Sequence, residues 1–129
     1  MRARWTAAAL AVASLLSAAG CDSGPSGPGM LTVTVDAPAA LGAVTLDVVG
    51  SGVTGFEGVG STEAYGTVVS ARQNRHRVVL VDPVGGQLRF SVRVEDVRAE
   101  PPVMSVVGAA GTDNLERITT DVEVRIGGS

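Results

Sequence analysis

Two pairs of closely spaced acids are the residues of this chain whose spacing could support catalysis. Glu95 and Asp96 are adjacent, and Asp121 and Glu123 are separated by one residue. Two carboxyl groups that flank a glycosidic bond are the usual machinery of glycoside hydrolysis. Adjacent residues of a strand point to opposite faces, so Glu95 and Asp96 would lie on different sides of a sheet. Asp121 and Glu123 would share the polar face, where a solvated row of charges is the simpler interpretation.

His76 is the single histidine of the chain and stands in the polar run Arg72–Arg77. One histidine cannot build a metal site of several histidine ligands. It could act as a base for a serine, but the sequence has no nucleophile elbow of the form Gly-x-Ser-x-Gly. We therefore expect a surface position for His76, and we predict that the protein is not an enzyme and uses no metal or cofactor.

The segment Gly50–Gly55 has the G-x-G-x-x-G spacing of a dinucleotide-binding turn. That site needs a helix directly after the turn, because the helix N-terminus holds the pyrophosphate. The next residues, Phe56–Gly60, include two glycines and cannot begin a stable helix. The acid expected about twenty residues further on is also missing, since Arg72–Arg75 contains none. The pattern instead predicts a flexible or bulged connection between strands.

A candidate ligand surface consists of Tyr65, Arg72, Arg75 and Arg77. Arginine forks bind carboxylates and phosphates, and an exposed tyrosine can stack on a sugar ring. These residues would suit an acidic glycan or a cell-wall polymer, although one aromatic ring makes a weak sugar platform. The alternative, which we favour, is a solvated strand end whose arginines face Asp or Glu neighbours.

Cys21 is the only cysteine of the chain, so the monomer can form no internal disulfide. It follows Arg2, Arg4 and the apolar run Ala7–Ala19. This run is shorter than the roughly 20 residues of a membrane-spanning helix, and the layout is that of a signal peptide. An unpaired thiol is a liability in an exported protein, so we expect Cys21 to be modified.

The tetrad Ala18-Ala19-Gly20-Cys21 resembles the lipobox of bacterial lipoproteins. The resemblance implies cleavage between Gly20 and Cys21 and attachment of acyl chains such as palmitate to Cys21. Each buried CH₂ of such a chain adds about 0.8 kcal/mol of membrane affinity. We expect the mature protein to be anchored in the cell envelope, on an extracytoplasmic membrane face. In a cell with two membranes this is the outer membrane or the periplasmic side.

The chain divides into a signal peptide (1–20), a lipidated Cys with a Gly/Ser/Pro linker (21–29) and a single domain (30–129). After cleavage, eight arginines stand against thirteen acidic residues. This acidic balance argues against nucleic acid as a partner, because phosphates would be repelled. The domain has few aromatic residues and many valines, and β-branched side chains favour strands.

Apolar residues alternate with polar ones along much of the domain, which is typical of strands with one buried face. The alternating segments are Leu31–Val35, Val44–Val48, Gln87–Val97 and Val122–Ile126. Two continuously apolar runs, Thr67–Ser70 and Val78–Val81, suit central strands. Phe56 and Phe90 are expected in the core.

The segment Asp82–Gly86 is a strong turn signal and predicts that Arg75–Val81 and Gln87–Val97 form a hairpin. Val103–Val107, after two prolines, is another predicted strand. No segment of the domain has a helical period. We predict an all-β fold, a single antiparallel β-sandwich of seven to nine strands, either immunoglobulin-like or a cohesin-like jelly roll.

Val78–Val81, the glycine turn and Gly86–Val94 together resemble the cohesin and carbohydrate-binding-module type of sandwich, as does the small-residue strand Val103–Val107. The resemblance covers about Met30 to Ile126. Cohesins bind dockerin partners, so it implies a protein-binding surface, but no binding residue can be transferred. The sequence thus predicts a non-catalytic lipoprotein that presents a β-sandwich for protein–protein interaction or envelope structure. The alternative is an extracytoplasmic glycan- or cell-wall-binding module.

Overall fold

The computed structural model describes residues 27–127, which form eight strands and one short 3₁₀ turn. The strands are β1 (Gly29–Asp36), β2 (Leu41–Val49), β3 (Val53–Gly58), β4 (Glu63–Ser70), β5 (Arg75–Gly86), β6 (Leu88–Val94), β7 (Val103–Ala110) and β8 (Glu123–Gly127), and the 3₁₀ turn spans Thr119–Asp121. The predicted signal peptide and Cys21 lie outside the described residues. Within residues 27–127, no helix has the length and apolar character that crossing a membrane requires.

The strands form two four-stranded antiparallel sheets. Sheet I has the order β3-β6-β1-β8, and sheet II has the order β4-β5-β2-β7. The predicted all-β sandwich is confirmed, and eight strands fall within the predicted seven to nine. The neighbours β4-β5-β2 and β3-β6 match those of an immunoglobulin sandwich. Here, however, β1 pairs with β6 and β7 pairs with β2, so these two strands have exchanged sheets relative to that fold.

The core lies between the sheets and is built from the inner-facing residues of both. Its buried members are Leu31, Val33, Val35, Leu41, Val44, Leu46, Val48, Val78, Leu80, Leu88, Phe90, Val92, Val94 and Ala109. Burial of one Val, Leu or Phe side chain stabilises the fold by roughly 1.5–3 kcal/mol. Phe90 is fully buried, and Phe56 packs beside it from the edge strand β3, with the ring centroids 6.4 Å apart. Both phenylalanines contribute to the core, as expected.

The hairpin predicted between β5 and β6 does not form. β5 pairs with β4 and β2 in sheet II, whereas β6 pairs with β1 and β3 in sheet I. Gly85 and Gly86 have φ angles of 83° and 111°, which glycine adopts without strain. They let the chain cross from one sheet to the other. The crossing sets the apolar faces of β5 and β6 against each other across the core, which a hairpin within one sheet would not do.

The position of the run Thr67–Ser70 was also predicted wrongly. It lies in β4, which is an edge strand of sheet II, whereas Val78–Val81 lies in β5, a central strand as predicted. A continuous apolar run is compatible with both positions, because an edge strand can have an apolar outer face. Val68 of β4 is 59% exposed, which no central strand would allow on its inner face.

The glycine-rich segment Gly50–Gly55 connects β2 to β3, and no helix follows it. Gly52 has a φ angle of 79°, and the register with β6 shifts between Val53 and Gly55. This is the bulged strand connection predicted from the sequence, and it lacks the helix N-terminus that a dinucleotide site requires.

The carboxylate of Asp82 is buried inside the sandwich. It joins the turn before β4 to the end of β5. The hydroxyls of Ser61 and Thr62 donate to its Oδ2 at 2.9 and 3.1 Å, and the backbone N–H groups of Val84 and Gly85 donate to its Oδ1 at 3.0 and 3.3 Å. Burial raises the pKa of Asp82, but these hydrogen bonds together outweigh it and hold the pKa below its ordinary value. Asp82 therefore has its hydrogen-bond partners within the fold, and its role is structural.

Candidate functional site

The side chains of sheet II that point away from the core form its outer face. The register places Tyr65 opposite Val79 and Val79 opposite Thr45, and it places Arg77 opposite Asp47. Residues opposite each other in a sheet share a face. The outer face of sheet II includes Glu63, Tyr65, Thr67, Arg75, Arg77, Val79, Val81, Ala43, Thr45, Asp47, Val49, Val103 and Ser105.

Asp47 lies in the middle of this face, where two arginines bind its carboxylate. Arg77 donates from Nε to Oδ1 at 2.7 Å and from Nη2 to Oδ2 at 3.2 Å. Arg75 donates from Nε to Oδ2 at 3.2 Å, and its Nη2 donates to the same oxygen. The Asp47 side chain is only 5% exposed, while each arginine side chain is 40% exposed. We call these three residues the Asp47 clamp.

The alternation of β5 explains how the Asp47 clamp assembles. Arg75 and Arg77 are two residues apart, so both point to the outer face while His76 and Val78 point inward. Arg77 stands directly opposite Asp47 on β2, and Arg75 is the diagonal neighbour. Long side chains reach partners at both positions across an antiparallel pair. Two cations from one strand therefore meet one anion on the next.

The clamp holds Asp47 in its ionised form. The hydrogen bonds from Arg77 and Arg75, in that order of size, lower the pKa of Asp47 to about 2, although burial raises it. The hydrogen bond to Asp47 also raises the pKa of Arg77. Because one carboxylate neutralises only one of two guanidinium groups, the clamp keeps a net charge of one positive unit.

Apolar side chains share this face with the clamp, together with Thr67 opposite Arg77 and Ser105 opposite Asp47. Val49, Val79, Val103 and Tyr65 are exposed, and Tyr65 reaches 59% exposure. In sheet I the one large hydrophobic side chain with comparable exposure, among the described residues, is Ile126 of β8. Exposed apolar surface that is concentrated on one face is typical of an interaction site. Tyrosine and arginine are also the residues enriched where proteins bind one another.

The predicted ligand surface is partly assembled here. Tyr65, Arg75 and Arg77 share the outer face of sheet II, and Arg72 lies in the turn between β4 and β5. Arg75 and Arg77 each use two N–H donors on Asp47. The favoured sequence interpretation, in which the arginines face an acidic neighbour, thus describes Arg75 and Arg77 correctly.

Asp47 itself was missed by the sequence reasoning, which treated it as one more polar residue of an alternating strand. The available signal was a single acid in the middle of β2 together with two arginines two residues apart in another strand. Only the strand register brings the two together.

His76 does not occupy the predicted surface position. It is half-buried on the inner side of β5, and its ring lies edge-on to Phe56 with centroids 5.7 Å apart. Within residues 27–127, its buried Nδ1 has no hydrogen-bond partner. The polar neighbours misled the prediction because they alternate with it onto the opposite face of the strand.

The two acidic pairs lie at strand ends and in a turn, at the surface of the sandwich. Glu95 and Asp96 follow β6, Asp121 belongs to the 3₁₀ turn, and Glu123 begins β8, all of them exposed. The backbone N–H groups of Gly27 and Arg98 donate to Asp96 Oδ1 at 3.1 and 2.9 Å, so Asp96 joins the segment before β1 to the turn after β6. In the described part of the chain, no group of three or more His, Cys, Asp or Glu side chains could hold a metal ion.

The predicted cleavage and lipidation site at Gly20 and Cys21 lies outside the described residues. Searches of family models, of curated proteins and of solved structures find no match to this chain. A function must therefore be inferred from the residues of the chain itself.

Proposed function

We propose that this protein is a non-catalytic lipoprotein, anchored through Cys21 to an extracytoplasmic membrane face, which presents the outer face of sheet II to a protein partner. The observation that carries the proposal is the difference between the two outer faces. Sheet I has a charged and polar outer face, whereas sheet II combines exposed valines and Tyr65 with a clamp in which one carboxylate binds two arginines.

The Asp47 clamp suits a binding surface because its arginines are held in place before a partner arrives. A guanidinium group has five N–H donors, and Arg75 and Arg77 each donate two hydrogen bonds to Asp47. The remaining donors can meet carbonyl or carboxylate oxygens of a partner. A complementary partner would thus be apolar at its rim, with an acceptor group near the centre.

The predicted anchor would hold the domain close to the membrane. Gly27 is already fixed to the sandwich, since Val97 N–H donates to its carbonyl at 3.0 Å and its own N–H donates to Asp96. Six residue steps separate Cys21 from Gly27, and a chain spans at most about 3.5 Å per residue. The domain would therefore sit within roughly 20 Å of the anchored residue.

Metabolic labelling with palmitate tests the anchor. The wild-type protein is expected to carry the label, and Cys21→Ser is expected to lose it while remaining expressed. Cys21 is the only cysteine, so no other thiol can substitute for it. A wild-type chain without label, or a Cys21→Ser chain that keeps it, would rule out the anchor.

Site-specific photo-cross-linking in intact cells tests the partner surface. A photo-reactive amino acid is placed at Thr45 on the outer face of sheet II or, as a matched control, at Thr34 on the outer face of sheet I. Both are half-buried threonines in inner strands. A discrete adduct with another protein is expected from Thr45 and not from Thr34. Equal adducts from both positions, or none from Thr45, would contradict the proposal.

A second candidate function is binding of an envelope glycan or cell-wall polymer. The exposed ring of Tyr65 on the same face as Arg77 supports it. The experiment is co-sedimentation with purified cell walls, comparing the wild-type protein with Tyr65→Ala and Arg72→Ala. Loss of binding in these variants is expected for this function, and unchanged sedimentation removes it.

A further inference from the structure

Each sheet of this sandwich has two edge strands, and the outer backbone groups of an edge can pair with a strand from another chain. The edges are β3 and β8 in sheet I and β4 and β7 in sheet II. Proteins protect such edges by keeping them short, by placing charges or bulges in them, or by covering them with a loop.

Three of the four edges are protected in these ways. β8 has five residues and carries Glu123 and Arg125. β3 has six residues, carries Glu57 and contains a register shift. β7 is as long as β4 and has no charged residue, but its pairing with β2 contains a register shift in the middle of the strand. The following loop also covers its end, where Arg117 N–H donates to the Ala109 carbonyl at 2.8 Å and a bridge joins Ala110 to Glu116.

The edge of β4 lacks these protections. It is eight residues long, and Glu63 is its only charged residue. Its one irregularity lies near its end, between Val68 and Ser70. Among the described residues, the strand that hydrogen-bonds to β4 is β5, on its other side. A long, apolar and nearly uncharged edge is a template for strand pairing.

We propose that β4 pairs with β4 of a second copy of this chain, antiparallel and about a two-fold axis, which joins two copies of sheet II into one eight-stranded sheet. A two-fold axis perpendicular to the sheet, through Gly66 or Thr67, keeps the outer faces of both copies on the same side. This is the self-complementary contact on which cyclic dimers are built.

The distribution of charge favours this occupant. The antiparallel arrangement sets Glu63 of each copy at the far end of β4 of the other, beside the turn that carries Arg72. Arg72 is exposed, and within residues 27–127 it forms no ion pair. A parallel pair would instead place the two Glu63 carboxylates side by side, which is destabilising. The strand is thus complementary in charge to an inverted copy of itself.

The second copy would also cover an opening of mixed polar and apolar character. A cleft of about 440 Å³ lies between the edges of the two sheets, lined by residues that include Phe56, Gly66, Val68 and His76. Val68 is 59% exposed there although it lies on the inner side of β4. Pairing about Gly66 sets Val68 opposite Ala64 of the second copy, and pairing about Thr67 sets it opposite Gly66. In both registers the added strand shields Val68.

The dimer is expected to be weak. A stable interface buries roughly 1,200–2,000 Å² in total, and a single pair of eight-residue strands provides less than that. Self-association should therefore appear as a dimer fraction that rises with protein concentration.

Sedimentation velocity of the full chain in detergent, over a concentration series, tests the proposal. The wild-type protein should convert from monomer to dimer as its concentration rises. Val68→Lys should weaken association at least about tenfold, since a lysine on an edge strand opposes pairing. The matched control is Val103→Lys, which changes a similarly exposed valine on the β7 edge and should associate like the wild type.

Urea unfolding of the variants separates loss of pairing from loss of fold, and all three chains should unfold at similar urea concentrations because both valines are exposed. A wild-type chain that stays monomeric over the whole concentration series overturns the proposal. The β4 edge would then be open to pairing with a strand of another protein. Equal association of wild type and Val68→Lys, or equal loss in the two lysine variants, overturns it as well.

Discussion

The outer faces of the two sheets are built from the same alternating pattern, yet they handle charge differently. On sheet I the ion pairs are open to water. Arg93 Nη2 lies 3.8 Å from Glu57 Oε2, and Arg125 Nε lies 3.3 Å from Glu123 Oε1. All four side chains are more than half exposed. On sheet II the charges are concentrated at Asp47, whose side chain is 5% exposed and binds two arginines.

The difference shows how a face can carry charge and still be suited to binding. Exposed ion pairs contribute about 0–1 kcal/mol and keep their water. A carboxylate with four hydrogen bonds from two arginines has already exchanged its water for protein donors. A partner that covers Asp47 would therefore displace little water from this carboxylate, whereas a partner that covers sheet I would displace water from the exposed Glu57 and Glu123.

The largest expected effect that separates the two faces comes from removing their acids. Asp47→Ala leaves Arg75 and Arg77 side by side without an anion, and we expect it to lower the free energy of unfolding by about 2–3 kcal/mol. Glu57→Ala on sheet I should cost less than about 0.5 kcal/mol. Urea denaturation of both variants measures the free energy of unfolding. An equal decrease in Asp47→Ala and Glu57→Ala would contradict the difference between the two faces.

The acid sensitivity of the fold should depend on Asp47. Its folded-state pKa of about 2 lies below its ordinary value of 3.8, so ionised Asp47 stabilises the fold above pH 3.8 and this contribution disappears as the pH falls towards 2. The shift corresponds to about 2 kcal/mol. In Asp47→Asn this part of the acid dependence should be absent.

Urea midpoints measured between neutral pH and pH 2 for wild type and Asp47→Asn provide the comparison. Glu57→Gln is the control from sheet I and should follow the wild-type curve. Parallel curves for wild type and Asp47→Asn would mean that Arg77 and Arg75 do not lower the pKa of Asp47.

Substitution of an apolar residue should affect binding without affecting the fold. Val79→Gln replaces an exposed apolar side chain beside the clamp with a polar one. Because Val79 is at the surface, the free energy of unfolding should change by less than about 0.5 kcal/mol. The yield of the cross-linked adduct from Thr45 should fall by about tenfold, because a loss of roughly 1.4 kcal/mol of binding free energy weakens affinity tenfold. Thr34→Gln on sheet I should leave that adduct unchanged, and an equal decrease in both variants would contradict a surface restricted to sheet II.

The smallest expected effect is local to Tyr65, the only tyrosine of the chain. Its hydroxyl donates to Glu63 Oε2 at 2.6 Å, and this hydrogen bond raises the pKa of Tyr65. Glu63→Gln should therefore lower that pKa, whereas Glu57→Gln on sheet I should not change it. Ultraviolet absorbance of the phenolate measures both. An unshifted titration in Glu63→Gln would place Tyr65 away from Glu63.

The sequence was sufficient for the fold class but not for the pairing of strands. Alternation identifies β1 and β6 because each has one buried face, as Val33 and Phe90 illustrate. It carries no information on which strands are neighbours, and the Asp82–Gly86 turn signal is compatible with both a hairpin and a crossing between sheets. The positive φ angles at Gly85 and Gly86 serve the crossing.

The candidate site was predictable in composition but not in arrangement. Tyr65, Arg75 and Arg77 stand out in the sequence as chemically capable residues. Their shared face depends on the register of β4, β5 and β2, and so does the role of Asp47. The inward position of His76 follows from the same alternation, which the surrounding arginines concealed.

Cysteine accessibility in the cell envelope measures directly whether a partner covers the outer face of sheet II and leaves that of sheet I open. Val79→Cys lies on β5 and Arg93→Cys on β6, the second strand of each sheet order. With a water-soluble maleimide, Val79→Cys is expected to be protected in native envelopes and reactive after purification, whereas Arg93→Cys is expected to react equally in both states. Equal reactivity of the two cysteines in native envelopes would contradict this expectation.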